Sequence, residues 1–233
     1  MTDRTSAFTA LAYASAAMLG DHHPADLLAR LTIDCITPLA ADSAALLVAE
    51  PGGGLNLLTA SSHAAADIEL LQTQRSHGPC VDAIRTGEHV YAVGEQALVD
   101  RWDEVGTAIV GAGFESVHAF PMRWQGGVIG GLNIFRSRDA GEDQEDTAVI
   151  GQAFADAATL ILVHVSDVSA EQVAERVHEA VLARSAVEQA KGVLAYLNGT
   201  DPEAAYRELV RLAEADDGSL TEIARHVVRQ QHG

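Results

Sequence analysis

Residues 116–137, SVHAFPMRWQGGVIGGLNIFRS, contain the strongest evidence for the fold of this chain. The segments 116–124 and 127–137 are apolar runs of strand length. Gln125 and Gly126 lie between them, at the start of a glycine-rich segment that favours a tight turn. This arrangement predicts a β-hairpin.

Proline and glycine positions within the hairpin predict local details. Pro121 has no amide hydrogen to donate to a neighbouring strand, so it favours an edge or a bulge. Gly130 and Gly131 predict a bend in the second strand or a close approach by another backbone segment.

The rest of residues 1–165 contains further strands and helices. A glycine turn separates two more apolar runs, which predicts a second hairpin. The predicted strands are 44–50, 55–62 and 89–93, and the predicted helices are 7–19, 24–40, 64–72, 79–86, 103–112 and 143–165. Helices that flank antiparallel hairpins make an α+β fold with one sheet. We therefore expect a first domain at 1–165.

After Val165 the sequence has the pattern of a long helix. Val173, Ala180, Val187 and Leu194 recur every seven residues, which is the spacing of a coiled-coil seam. The same spacing is typical of the buried stripe of an ordinary amphipathic helix. Both interpretations, a dimeric coiled coil and a buried stripe, are open at this point.

Two further helices are predicted at 201–215 and 219–230. The first begins with Asp-Pro, and the second begins with a serine that has a glutamate three residues later, a capping box. We expect a helical linker at 166–183 and a small C-terminal helical domain at 184–233.

The composition indicates globular domains with an uneven distribution of charge. Hydrophobic residues make up 48% of the chain and charged residues 21%, which is enough apolar surface for packed cores. The net charge of −18 opposes binding to phosphate backbones. Residues 180–233 contain six Lys/Arg against eight Asp/Glu, so −16 of that charge lies on residues 1–179. The acidity therefore belongs mainly to the first domain.

We expect a cytoplasmic protein without a membrane segment. The apolar patch near the N-terminus is interrupted by GDHH at 20–23, unlike the continuous apolar segment of a signal peptide. No later stretch is expected to have the length and hydropathy of a membrane span.

Three motifs within residues 7–165 resemble those of a GAF domain of the actinobacterial type. They are GPCVDAIRTGEHV at 78–90, DRW at 100–102 and HAFPMRWQGGVIGGLNIF at 118–135. The resemblance implies an antiparallel sheet flanked by helices that responds to a small ligand, a redox state or a partner. It does not identify the ligand, and we assign no cofactor.

Residues 184–228, RSAVEQAKGVLAYLNGTDPEAAYRELVRLAEADDGSLTEIARHVV, resemble an ANTAR domain. The residues that match the spacing of that family are Arg184, Glu188, Gln189, Ala190, Lys191, Gly192, Ala205, Tyr206, Leu209, Ala213, Leu220 and Ala224. The resemblance implies a three-helix bundle that binds paired RNA stem-loops in nascent transcripts and so prevents transcription termination. With a GAF domain before it, the chain resembles a known architecture of regulators.

Five residues of this domain are candidates for RNA contacts. Lys191 can bind a phosphate, and Gln189 can hydrogen-bond a base in an unpaired loop. Arg184, Arg211 and Arg225 are expected to converge with them. For each residue the alternative is a solvated charge or an intrahelical ion pair, such as Arg184 with the glutamate four residues later.

Two positions depart from the family's pattern. Val210 stands where family members commonly carry arginine. Residues 214–217, Glu-Ala-Asp-Asp, form an acidic loop where the family tends to be basic or neutral. These departures predict weak RNA affinity or a requirement for a dimer.

The sequence offers little for catalysis, redox chemistry or metal binding. Cys80 lies at a predicted helix start, where the helix dipole would lower its pKa and make it a redox sensor; the alternative is a small buried thiol. Similar GAF domains that reduce methionine sulfoxide use several cysteines, whereas this chain has Cys35 and Cys80. His118 or His89 could ligate a haem iron. The alternative is that each is a packed or exposed histidine on a strand. We expect no enzyme activity, no cofactor and no metal.

Two other functions remain open beside RNA binding by a homodimer. The chain could be a dimeric signalling protein whose helical module makes protein–protein contacts without RNA. A helix-turn-helix DNA reader at 201–230 is the weaker alternative, because its second helix offers few groups for reading a groove: Thr221, Arg225 and Arg229.

Overall fold

The structure is a computed structural model that describes residues 3–20, 24–49, 54–138, 144–163, 170–216 and 219–230, without the side chains at 144, 170–181 and 184. The chain divides into two compact units, Met1–His164 and Val165–Gly233. Each unit has its own hydrophobic core.

The first unit is built on an antiparallel sheet. Its described strands are β1 (Ser43–Ala49), β2 (Leu55–Ala60), β3 (Val90–Val93), β4 (Ser116–Trp124) and β5 (Gly127–Arg136). They lie in the order β2-β1-β5-β4-β3, so the two predicted hairpins are confirmed and lie side by side. The turn of the β4–β5 hairpin has positive φ angles at Gln125 and Gly126, which match the twist of the flanking strands.

Helices cover both faces of this sheet. They are α1 (Arg4–Ala17), α2 (Pro24–Asp34), α3 (His63–Arg75), α4 (Pro79–Thr86), α5 (Glu95–Gly111) and α6 (Gln144–Val163). Phe120 and Met122 of β4 pack with α1, α2 and α6, whereas Val117 and Ala119 pack with α3, α4 and α5. Side chains alternate along a strand, so one strand contributes to two cores. The predicted α+β fold is confirmed.

The glycine pair in β5 has the predicted role. An added Cβ at Gly130 would lie 2.3 Å from the carbonyl oxygen of Leu47, and one at Gly131 would lie 2.6 Å from Sγ of Cys80. Both distances are far below van der Waals contact. Glycine therefore allows the neighbouring strand and helix α4 to pack closely against β5.

The proline in β4 lies beside a bulge, as predicted. The pairing of β3 with β4 extends from Ser116 to Ala119, so Pro121 lies beyond it. The register of β4 against β5 shifts between Met122 and Arg123. Pro121 has no amide hydrogen, but no hydrogen bond to β3 is lost, because β3 does not pair with β4 at this position.

Helix α5 differs from the prediction. We predicted a helix at 103–112, but α5 begins at Glu95 and kinks at Asp103, whose φ angle is 46°. After the kink, Gly106 lies against the carbonyl oxygen of Leu98, where an added Cβ would be 2.0 Å away. The part of α5 before the kink, residues 95–102, is too short to show a clear helical periodicity in the sequence.

Helix α2 is shorter than predicted. It ends at Asp34 rather than at residue 40. Pro38 disfavours helical geometry in the residue before it, and Ala40 adopts a positive φ of 47°. The segment after α2 therefore forms turns instead of a continued helix.

One described helix has the length and hydropathy of a membrane span, which corrects our expectation that no stretch would. This helix is α6, at Glu145–Val163, with a mean hydropathy of 1.4 over an 18-residue window. In the structure, 44% of that window is buried, and Ile150, Phe154 and Ile161 pack into the core beneath the sheet. Such burial is typical of a core helix in a globular domain.

The second unit is a bundle of helices with a core of small side chains. Its described helices are α7 (Ala170–Asn198), α8 (Pro202–Ala215) and α9 (Leu220–Gln230). Ala190, Ala205 and Ala224, one from each helix, are 0% exposed. Alanine at these contacts allows the helix axes to approach closely. The predicted three-helix bundle is confirmed.

The heptad pattern of α7 divides into two parts. Val187 and Leu194 pack inside the bundle of their own chain, as a buried stripe does. The side chains of Val173 and Ala180 lie outside the described set. A coiled coil therefore stays a prediction for the first half of α7.

We expect Gly151→Ala to destabilise the first unit. An added Cβ at Gly151 in α6 would lie 2.1 Å from the ring of Phe120, which is fully buried in β4. Overpacking of this kind costs about 1–3 kcal/mol. Urea unfolding followed by tryptophan fluorescence measures the change in this unit alone, because Trp102 and Trp124 both belong to it.

Gly111→Ala is the matched control, because an added Cβ at this end of α5 has no described atom within 4 Å. We expect this variant to be at least as stable as the wild type, since alanine favours a helix. Equal urea midpoints for the wild type and both variants would contradict the close packing of α6 on β4.

Candidate functional site

Lys191 is held on the side of α7 that faces α8. Its Nζ lies 2.8 Å from a carboxylate oxygen of Glu188, one turn earlier, and the side chain is 20% exposed. The same Nζ lies 5.8 Å from the centre of the Tyr206 ring on α8, within cation–π range. Two neighbours therefore orient the ammonium group, and one of them already neutralises its charge.

Gln189 lies beside a shallow groove of about 490 Å³ between α7 and α9. The residues that line this groove are Gln189, Gly192, Val193, Tyr196 and Val228. Residues two positions apart on an α-helix point about 200° apart, so Gln189 and Lys191 approach different neighbours on either side of the buried Ala190. The structure therefore presents them as two separate contact points.

Arg211 on α8 makes the kind of intrahelical pair that was the alternative to an RNA contact. Nη2 and Nε of Arg211 donate to the two carboxylate oxygens of Glu208 at 2.6 and 2.8 Å. This hydrogen bonding raises the pKa of Arg211 and lowers the pKa of Glu208. Arg211 can bind a phosphate if its ion pair with Glu208 is first broken.

Arg184 lies on α7, but its side chain is outside the described part of the chain. Its predicted pair with Glu188 is therefore untested, although Glu188 does pair with Lys191. No described contact joins Arg211 or Arg225 to Lys191. The convergence of the five candidates stays a prediction.

Helix α9 carries two exposed cations, Arg225 and Arg229. Neither makes an ion pair with the residues that the structure describes, whereas Lys191, Arg207 and Arg211 each pair with a glutamate of their own helix. An arginine without a carboxylate partner can bind a phosphate without first losing an ion pair. Arg229, which the sequence pattern associated with DNA reading, therefore joins the candidates.

The two departures from the family pattern lie on α8. Val210 is half-buried, and the acidic side chains of Glu214 and Asp216 are exposed at the helix end. Negative charge near a helix C-terminus is unfavourable with the helix dipole, so these acids do not serve the stability of α8. Residue 217 lies outside the described residues.

Cys80 has the environment of a small buried thiol, which was the alternative to a redox sensor. It is 0% exposed at the start of α4, and its backbone amide donates to Gln72 at 3.0 Å. Burial raises the pKa of the Cys80 thiol well above its usual value, and the nearby Glu69 raises it further. The effect of burial exceeds that of the helix dipole, and the thiol is protonated rather than reactive.

Glu69 is a buried acid that no motif or spacing in the sequence indicated. It lies on α3, is 0% exposed and accepts a hydrogen bond from Nδ2 of Asn133 on β5. Burial raises the pKa of Glu69 to about 8, although hydrogen bonds from Asn133 and Gln72 oppose the shift. Oε2 of Glu69 and Oδ1 of Asn133 have no hydrogen bond of good geometry. The carboxyl is therefore protonated at neutral pH.

The two histidines considered as haem ligands pack against each other. Nε2 of His89 lies 3.2 Å from Nδ1 of His118, and their rings stack with the ring of Phe120. Burial lowers the pKa of His89 to about 4 and that of His118 to about 3. Both rings are neutral at physiological pH, and aromatic packing accounts for their position. Among the described residues, no group of three or more His, Cys, Asp or Glu could hold a metal ion.

Comparison with known families identifies the second unit. Residues 175–228 match the model of the ANTAR domain. This match includes most of α7, all of α8 and α9 up to Val228. ANTAR domains are RNA-binding domains of antitermination regulators. The C-terminal unit is an ANTAR domain.

Comparison with solved structures identifies the fold of the first unit. A GAF domain of A. aeolicus has a TM-score of 0.53 at 11% identity, over 68% of this chain and 96% of that chain. The GAF domain of an Acinetobacter phosphoenolpyruvate-protein phosphotransferase has a TM-score of 0.53 at 11% identity, over 72% and 98%. The free methionine-R-sulfoxide reductase of Neisseria meningitidis has a TM-score of 0.50 at 14% identity, over 70% and 93%. These likenesses show a GAF fold. No curated protein sequence matches the chain closely enough to indicate a relative.

We expect Glu69→Gln to remove a pH dependence of stability in the first unit. An acid whose pKa is higher in the folded state keeps its proton where the unfolded chain has lost it. Stability therefore falls as pH rises from about 4.5, the ordinary value, to about 8. Glutamine resembles the protonated carboxyl, so the variant should gain on the order of 3 kcal/mol relative to the wild type across this range.

Urea unfolding at pH 5 and pH 8, followed by tryptophan fluorescence, measures this difference. Glu88→Gln makes the same chemical change at an exposed side chain and should leave the pH dependence of the wild type in place. If Glu69→Gln and the wild type lost equal stability between the two pH values, the protonated state of Glu69 would be contradicted.

Proposed function

We propose that this protein is a non-catalytic, signal-responsive regulator that binds RNA stem-loops and promotes transcription antitermination in the cytoplasm. The observation that carries the proposal is the ANTAR domain at 175–228, folded as a three-helix bundle. Its first helix carries Lys191 and Gln189 on either side of the buried Ala190, and these residues match the family's polar pair in the EQAKG run.

The charges of the bundle support binding that is weak for one site and sensitive to salt. Lys191 and Arg211 must exchange a glutamate for a phosphate, and the acidic end of α8 repels the RNA backbone. Linking two such sites in a homodimer raises the effective concentration of the second stem-loop. A dimer that binds two stem-loops therefore fits this surface better than a monomer.

The signal would pass along α7. We assign 1–165 to the sensor, 166–183 to a helical linker and 184–233 to RNA binding, so the linker and the first helix of the bundle share α7 (Ala170–Asn198). Regulation requires two arrangements of this helix with different RNA affinity. A small ligand or a protein partner of the GAF fold would favour one of them.

The thiols of the first unit support a regulator rather than a reductase. Cys35 packs in the core with α1, α2 and α6, whereas Cys80 lies against Gly131 and Glu69 on the other face of the sheet. Both are fully buried, and burial raises the pKa of each thiol. Two protonated thiols on opposite faces of a sheet cannot form a disulfide with each other.

A dimeric signalling module without RNA is the second candidate. Among the described side chains of α7, three large apolar ones are exposed: Leu182, Tyr196 and Leu197. Such residues suit a protein interface as well as RNA. An RNA-binding regulator should bind RNA in a salt-dependent way, and Lys191 should contribute to the affinity. A signalling module should not bind RNA.

We expect Lys191→Ala to weaken RNA binding about three- to tenfold and to lower the salt slope by about one, because one phosphate contact is lost. RNA crosslinked to the wild type in cells and then sequenced should be enriched in adjacent stem-loops. Titration of a labelled transcript from that set at several salt concentrations measures affinity and slope.

Arg30→Gln, which removes one exposed positive charge from α2 of the first unit, is the charge-matched control. It should bind RNA as the wild type does. A wild-type dimer with no RNA affinity at any salt concentration would contradict the proposed function and favour the signalling module.

A further inference from the structure

Gly192 is exposed in the second half of α7, and the packing of its own unit does not require it. An added Cβ there has no described atom within 4 Å. A glycine within a helix is less favourable than alanine. Gly192 lines the groove between α7 and α9, and because it has no side chain it leaves this part of the groove open.

Tyr196 lies one turn after this glycine and forms a wall of the same groove. Its side chain is 88% exposed, more than any other described aromatic residue. Gln189, Gly192 and Tyr196 follow the spacing of three and four residues that places side chains on one helix face. The face thus offers an amide, an open backbone and an aromatic ring in succession.

The α9 side of the groove carries positive charge. Val228 lines the groove, Arg225 lies one turn before it and Arg229 follows it directly. Both arginines are exposed, and neither has an ion-pair partner within the described part of the chain. These residues complement a ligand with two parts. A flat, apolar part would enter the groove, and a negatively charged part would lie beside the arginines.

We propose that this groove binds an unpaired nucleobase from an RNA loop. The base stacks on the ring of Tyr196 above Gly192, and the Gln189 amide hydrogen-bonds its edge. Arg225 and Arg229 bind the phosphates next to it. The proposal rests on the proposed RNA-binding function and assigns its specificity to a second contact point, distinct from the ammonium of Lys191.

A second copy of α7 fits the groove less well than a base does. A helix–helix seam requires apolar residues along the whole stripe. Between Leu182 and Tyr196, this stripe carries Ser185, Gln189 and Gly192. Stacking on an aromatic ring beside a polar amide is, in contrast, the usual way in which proteins bind unpaired RNA bases.

The first test uses the full chain and an RNA strand with two hairpins. The loop sequences are those that the wild type selects from a randomised pool, with 2-aminopurine placed at successive loop positions. We expect Tyr196→Leu to weaken binding about tenfold and to abolish the quenching of one loop position. Tyr196→Phe keeps the stacking ring and should stay within about twofold of the wild type.

The second test fills the groove without disturbing the bundle. Gly192→Leu should weaken binding to a similar extent while thermal stability, followed by far-UV circular dichroism, does not fall, because leucine favours a helix. Leu197→Ala, at an exposed side chain outside the groove lining, is the matched control and should bind as the wild type does.

The outcomes separate the two proposals. If Lys191→Ala weakens binding but Tyr196→Leu and Gly192→Leu bind and quench as the wild type does, the groove is not the base site and RNA binding stands. If the wild type selects no RNA, both proposals fail. If Tyr196→Leu dissociates a dimer in sedimentation without changing RNA affinity, the groove is an interface between copies, which overturns the base site.

Discussion

The burial of Ala190 against α8 and α9 is the constraint on which the second unit depends. Ala190 shares its core with Ala205 and Ala224, so the helices approach closely and the rotation of α7 is fixed. That rotation turns Lys191 towards Tyr206 on α8 and Gln189 towards the groove beside α9. One helix therefore presents an ammonium group for phosphate on one side and an amide with an aromatic ring on the other.

The electrostatic balance of the bundle is set by short-range pairs rather than by net charge. On α7 and α8, each cation with a described side chain is paired with a glutamate one turn away. Exposed pairs of this kind contribute little stability, about 0–1 kcal/mol, so exchanging them for phosphate contacts is feasible. Arg225 and Arg229 of α9 have no ion-pair partner among the residues that the structure describes.

The sequence predicted the features that depend on local residues. These include the β4–β5 hairpin, the glycine contacts of β5 and the helix starts at Asp201 and Ser219, whose side chains accept from the third residue that follows. It did not predict features that depend on distant parts of the chain. Glu69 is buried beside Asn133, which lies 64 residues away in the sequence. The choice between an activated and a buried thiol at Cys80 depended on the close packing of α4 against β5. The groove was not predicted either, because it depends on the position of α9 beside α7.

Photo-crosslinking of the full chain to its selected RNA, with mass spectrometry of the crosslinked peptides, locates the RNA-binding surface. We expect crosslinks in α7 and α9, centred on residues 189–196 and 225–229, and few in the first unit. Crosslinks confined to the first unit, or none at all from RNA that the protein retains, would contradict this expectation.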